Sequence, residues 1–78
     1  MQVNVKVITT DKKEKMYNDY TLTVLPSQDA SANVIDFIQQ FLIDEKRDSF
    51  IKNNTIKSIF VFNSKGKKVG SINTPGNF

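Results

Sequence analysis

Apolar and polar residues change period along this chain, and each change predicts an element. Val3, Val5 and Val7 alternate with Gln2, Asn4 and Lys6, the period of a strand with one buried face, so a first strand is expected over 2–9. The charged run Asp11-Lys12-Lys13-Glu14-Lys15 has no apolar period and reads as an exposed connection. Tyr20, Leu22 and Val24 then alternate with Asp19, Thr21 and Thr23, which predicts a second, antiparallel strand over about 17–25. Pro26 lacks the ladder donor and ends it.

Asp29 or Ser31 is placed to cap a helix. Val34, Phe37, Ile38, Phe41 and Leu42 follow at i, i+3, i+4, i+7 and i+8, one helical stripe. Continued, that stripe would take in Glu45, Asp48 and Ser49, so the buried face stops near Ile43. Phe50 and Ile51 fall on another azimuth and predict a second short helix or turn after a bend. From Thr55 the pattern changes again: Ile56, Ile59, Phe60, Val61 and Phe62 put apolar side chains on both faces, as in an interior strand covered on more than one side. Asn63-Ser64-Lys65-Gly66 reads as a turn, Lys67 to Ile72 as a returning fourth strand, and residues 73–78 as a loose tail. The expected architecture is therefore α+β: one ββαββ domain spanning 1–78, with a four-stranded mixed or antiparallel sheet and one helix packed on one face.

The residues that mark these passages also carry a resemblance. MQVNVKVIT, then TLTVLPS, then NVIDFIQ resemble the start of ubiquitin and other β-grasp proteins, with Pro26-Ser27 at the turn and Asn33-Val34 and Ile38-Gln39 on the helix. Ile59-Phe60 is placed as in that superfamily, and the resemblance covers residues 1–63. It implies a ubiquitin-like fold used for docking, as in small ubiquitin-like proteins of some Gram-positive secretion clusters. The end reads NTPGNF rather than a di-glycine, so conjugation as a modifier is not implied.

Composition narrows the chemistry. Histidine and cysteine are both absent, which removes the side chain that titrates nearest neutrality, thiolate nucleophiles, disulfides and the commonest metal ligands. Asp11/Glu14 and Asp44/Glu45/Asp48 are the remaining acidic clusters. Lysines or arginine interleave both, and both read as solvated charged surface rather than cation sites. Ser64-Lys65-Gly66-Lys67-Lys68 lacks the spacing of a phosphate-binding glycine loop. No catalytic residue, cofactor or metal site is expected, and the chain is not read as an enzyme. No run approaches the roughly 20 apolar residues that span a bilayer, so a soluble, cytoplasmic protein without a membrane partner is expected. The abundance of Asn, Lys and Ile suits AT-rich codons and a bacterial or phage source.

Two binding roles remain. The first is a protein-protein interaction module (an adaptor, secretion accessory or phage-type inhibitor of a host protein) using Phe37, Phe41 and Ile43, which a small sheet would not wholly cover. A sheet edge offers such a module a further partner, a second copy of the chain. The second role is nucleic-acid binding. The net charge is +3, and residues 55–78 hold four lysines and no acid. Lys57, Lys65, Lys67 and Lys68 are the expected phosphate contacts, with Phe60 or Phe62 available for stacking if either faces solvent. Ten of the eleven basic residues are lysine, which favours phosphate charge over bidentate base reading.

Overall fold

The computed structural model describes residues 1–73. Its elements run β1 (Gln2–Thr9), β2 (Glu14–Thr21), α1 (Ala30–Asp44), α2 (Ser49–Asn53), β3 (Ile56–Asn63) and β4 (Lys68–Asn73). The four strands form one sheet in the order β2-β1-β3-β4, with every neighbouring pair antiparallel. The fold is thus the small α+β ββαββ arrangement, and α1 carries the chain from edge strand β2 across β1 to β3. Asn73 closes β4, and the rest of the expected tail lies outside the described residues. Among those residues no helix is long and apolar enough to cross a membrane.

The core occupies one face of the sheet. Val5 faces Val61 and Val7 faces Ile59 across the β1–β3 ladder, and Val34, Ile38 and Phe41 of α1 close over them. Val3, Val5, Val7, Ile59 and Val61 are all within 1% of complete burial. Desolvating such side chains is the main driving force a sheet with one helix has, at roughly 1.5–3 kcal/mol for each fully buried residue. Asp29 caps α1 by accepting from Ala32 N at 2.8 Å. Asn33, buried near the start of the helix, accepts from Leu25 N at 3.2 Å and so fixes the entering chain to α1.

Three bulges adjust which side chains meet the core. In β2, Val3 pairs with Tyr20 but Val5 pairs with Tyr17, so the strand carries one extra residue there, and Asp19 takes φ +67°. Tyr17 and Tyr20, three apart, consequently share the core face with Leu22. The second strand begins and ends earlier than the alternation predicts, at Glu14–Thr21 rather than about 17–25. The charged connection is in fact a tight turn: Thr9 N donates to Lys13 O at 2.9 Å, and Lys13 N donates to Thr9 Oγ1 at 3.0 Å. Glu14 and Lys15 are thereby already in the ladder, and Val24 lies beyond it, 55% exposed.

The second bulge places Lys57 between the pairs Ile8/Ser58 and Thr9/Ile56, and the third places Val69 between Phe62/Lys68 and Val61/Gly70. Gly70 lies directly beneath α1. A Cβ added there would stand 2.8 Å from Val34 Cγ2 and 3.0 Å from Cγ1, closer than packed carbons tolerate. Gly70→Ala is expected to lower stability by about 1–3 kcal/mol in urea denaturation. Combined with Val34→Ala it should cost less than the sum of the two single changes. Additive losses would show that the helix and β4 do not press on one another at this point.

Candidate functional site

The expected protein contacts separate. Phe41 is 1% exposed, and its ring meets those of Tyr17 and Tyr20 edge-on at 5.2 Å each. It belongs to the core, so the expectation that it offers area to a partner is corrected. Phe37 packs beside it, stacked on Phe41 at 6.4 Å and edge-on to Tyr20 at 6.2 Å, and is half-buried. Ile43, 60% exposed, lies two residues beyond Phe41 and so turns to the opposite side of α1. Phe37, Phe41 and Ile43 do not form one patch.

The expected basic cluster is also divided. Lys57 stands at the start of β3, while Lys65 and Lys67 lie in the turn beyond its end and Lys68 opens β4. Six strand steps from Lys57 to Asn63 amount to roughly 20 Å. Asn63 Oδ1 accepts from Lys65 N at 2.9 Å and from Lys67 N at 3.0 Å, and Gly66 takes φ +82°, so the turn is shaped by Asn63 and Gly66 rather than by its lysines. Lys57 belongs to a different end of the sheet.

A different set of residues comes together on the face of the sheet turned away from α1. Across the ladders Asn4 neighbours Phe62 and Phe62 neighbours Lys68; Lys6 lies between Met16 and Phe60, with Ser71 beyond Phe60; and Ile8 lies between Glu14 and Ser58. β3 is interior to the sheet but is covered on one side only, which corrects the expectation drawn from its two apolar faces. Phe60 and Phe62 stand next to each other on this uncovered side, both partly accessible, with ring centroids 6.4 Å apart and planes inclined by 32°. Lys6 Nζ lies 5.8 Å from the Phe62 centroid and Lys68 Nζ lies 5.6 Å from that of Phe60. Both are cation–π distances, and both lysines approach diagonally across the ladder. The bulge at Val69 makes this possible: in a regular strand Lys68 and Gly70, two residues apart, would share the helix-facing side.

The balance of charge differs between the two layers. The helical segment holds Asp29, Asp36, Asp44, Glu45 and Asp48 against Lys46, Arg47 and Lys52. On the open face the ladder positions hold Lys6, Lys68 and one carboxylate, Glu14, which lies 3.4 Å from Lys6 Nζ. Lys6 was missing from the expected contacts, although the burial of Val5 and Val7 on either side already turns it to the opposite face. The alternation Ile59-Phe60-Val61-Phe62 likewise puts both rings on one side.

The acidic cluster after α1 is a structural clasp. Asp48 accepts from Tyr17 OH at 2.6 Å, from Lys15 Nζ at 3.0 Å and from Phe50 N and Ile51 N at 3.1 and 3.3 Å, so it caps α2 while tying it to β2. Glu45 accepts from Tyr20 OH. Burial, followed by these carboxylates, pushes both phenols well above their ordinary value. Among the described residues no group of three or more such side chains is placed to hold a metal ion.

The Tyr17 hydrogen bond, with Lys15 and the α2 amides, holds Asp48 down to about 2 from its ordinary 3.8. A carboxyl depressed in this way binds its proton less readily folded than unfolded, so its contribution is complete above the ordinary value and is lost as pH falls from about 4 to about 2. Tyr17→Phe is expected to raise the Asp48 titration midpoint in carboxyl-detected NMR, and Asp48→Asn to flatten acid unfolding across that window. An unmoved midpoint in Tyr17→Phe would remove the phenol as the cause.

Set against protein-family models, curated proteins and solved structures, the chain finds no match among them.

Proposed function

We propose that this protein is a non-catalytic nucleic-acid-binding domain whose contact surface is the open face of its sheet. One observation carries the reading: two partly accessible phenylalanines, side by side on an interior strand, each with a lysine ammonium over its ring and no helix above them. An apolar pair left on a sheet surface without cations would favour a protein partner or aggregation. Bordered by Lys6 and Lys68, with Lys65 and Lys67 in the adjoining turn, it favours a ligand that is anionic along its length and has flat apolar parts. The helical segment, with five acids against three bases, is net negative and favours approach of such a polyanion from the sheet side. The role belongs in the cytoplasm, where a chain without cysteine loses nothing to reducing conditions.

A second reading, a protein-protein interaction module of the ubiquitin-like kind, is favoured by a different place. Met1, Leu22, Val24, Leu25, Pro26 and Val69 help line a shallow apolar hollow of about 250 Å³ beside the start of α1. Met1 and Val24 there are more than half exposed, and Gln28 Oε1 is buried without a hydrogen-bond partner among the described residues. A docked adaptor target or host protein, or a second copy of the chain, would cover this area.

Fluorescence anisotropy with labelled oligonucleotides at two salt concentrations tests the first reading. The wild-type protein should bind with strong salt dependence. Lys6→Gln/Lys68→Gln should weaken binding and reduce the slope of log K against log salt by about 1.4, the share of two phosphate contacts on a single strand. Binding that is absent, or insensitive to salt, overturns the proposal.

A further inference from the structure

We propose that the open face takes unpaired nucleic acid, two adjacent nucleotides at a time, with one base on Phe60, the next on Phe62, and Lys6 and Lys68 passing from the rings to the flanking phosphates. This rests on the nucleic-acid reading above and specifies the kind of strand. The separation of the platforms decides it. Successive nucleotides of a paired strand rise about 3.4 Å, whereas the two rings stand 6.4 Å apart along β3. Neighbouring bases can meet both rings only if they have parted from each other, and a duplex, whose base faces are already stacked, offers nothing to either ring. The strand runs along β3, because both platforms belong to it, and finds a cation on each side, Lys6 from β1 and Lys68 from β4.

The lysines are present on the rings in the place a base would take. Each has a flexible stem, and an arriving base displaces the ammonium from its ring while bringing a phosphate within its reach. The two are not equally free to move. Lys6 is shared between the Phe62 ring at 5.8 Å and the Glu14 carboxylate at 3.4 Å, whereas Lys68 has no carboxylate partner among the described residues. Glu14 therefore competes with the incoming phosphate and restrains affinity at the Lys6 side.

The test uses the full chain with three labelled probes of matched length: oligo-dT, an abasic sugar-phosphate strand and a duplex. Oligo-dT should bind at least tenfold tighter than the abasic strand and tighter than the duplex. Phe60→Leu/Phe62→Leu should weaken oligo-dT binding at least twentyfold, since each base-aromatic stack is worth roughly 5- to 150-fold, and should leave abasic binding unchanged. Glu14→Gln should strengthen oligo-dT binding severalfold. If the double variant fails to fold by circular dichroism, titration of the wild-type protein decides: oligo-dT should shift the Phe60 and Phe62 ring protons upfield, and the abasic strand should not. Equal affinity for all three probes, or unshifted ring protons, overturns the two-base site while nucleic-acid binding stands. No binding of any probe overturns both.

Discussion

A strand offers side chains to two faces, and this chain has one long helix with which to cover them. Everything else in the molecule follows from that shortage. The face under α1 receives Val3, Val5, Val7, Ile59 and Val61 and is packed until Gly70 has no room for a Cβ. The other face has to remain acceptable to water although β3 supplies it with two phenylalanines. Laying lysine stems and ammonium groups across the rings meets that requirement, since the stem covers apolar area while the charge remains hydrated. The same cover keeps an open antiparallel sheet from offering a bare apolar surface to other copies. It is on this surface that the proposed polyanion would lie.

The helical layer shows the opposite use of charge. Its carboxylates accept hydrogen bonds from tyrosines and free helix amides, and Asp48 alone joins β2, α2 and the core ring cluster. Asp48 and Glu45 there are spent on closing the fold, while Lys6 and Lys68 on the open face are left near solvent. The resulting polarity is one of balance: five acids against three bases in the helical segment, two lysines against one carboxylate on the open face.

Periodicity made the larger part of this legible. The alternation of Val3, Val5 and Val7 fixed β1 to the residue, and the five-residue stripe from Val34 to Leu42 located the helix, whose cap is Asp29, one of the two candidates Asp29 and Ser31. Period-2 reading failed wherever the ladder inserts a residue, because a bulge leaves no compositional mark: Tyr17 and Tyr20 share a face only through Asp19. A helical stripe alone does not reveal how many rings wait on the facing strands, so the sequence leaves Phe41 a candidate contact. A lysine cluster is legible only along the chain, whereas Lys6 and Lys68, 62 positions apart, meet only through the pairing of β1 and β4 with β3.

The bulge at Val69 illustrates how this sheet stores position. Val69 contributes a modest apolar contact beside α1, and many residues could supply that. Its greater effect is arithmetical. Were the strand to pair there without the bulge while keeping Val69, Lys68 and Gly70 would fall on one face and the lysine would turn inward against the helix layer, so that a change of pairing with no change of sequence would subtract a positive charge from the surface. In a sheet of this kind the order of residues is not enough to preserve a face; the point at which the ladder takes up its extra residue must be preserved as well.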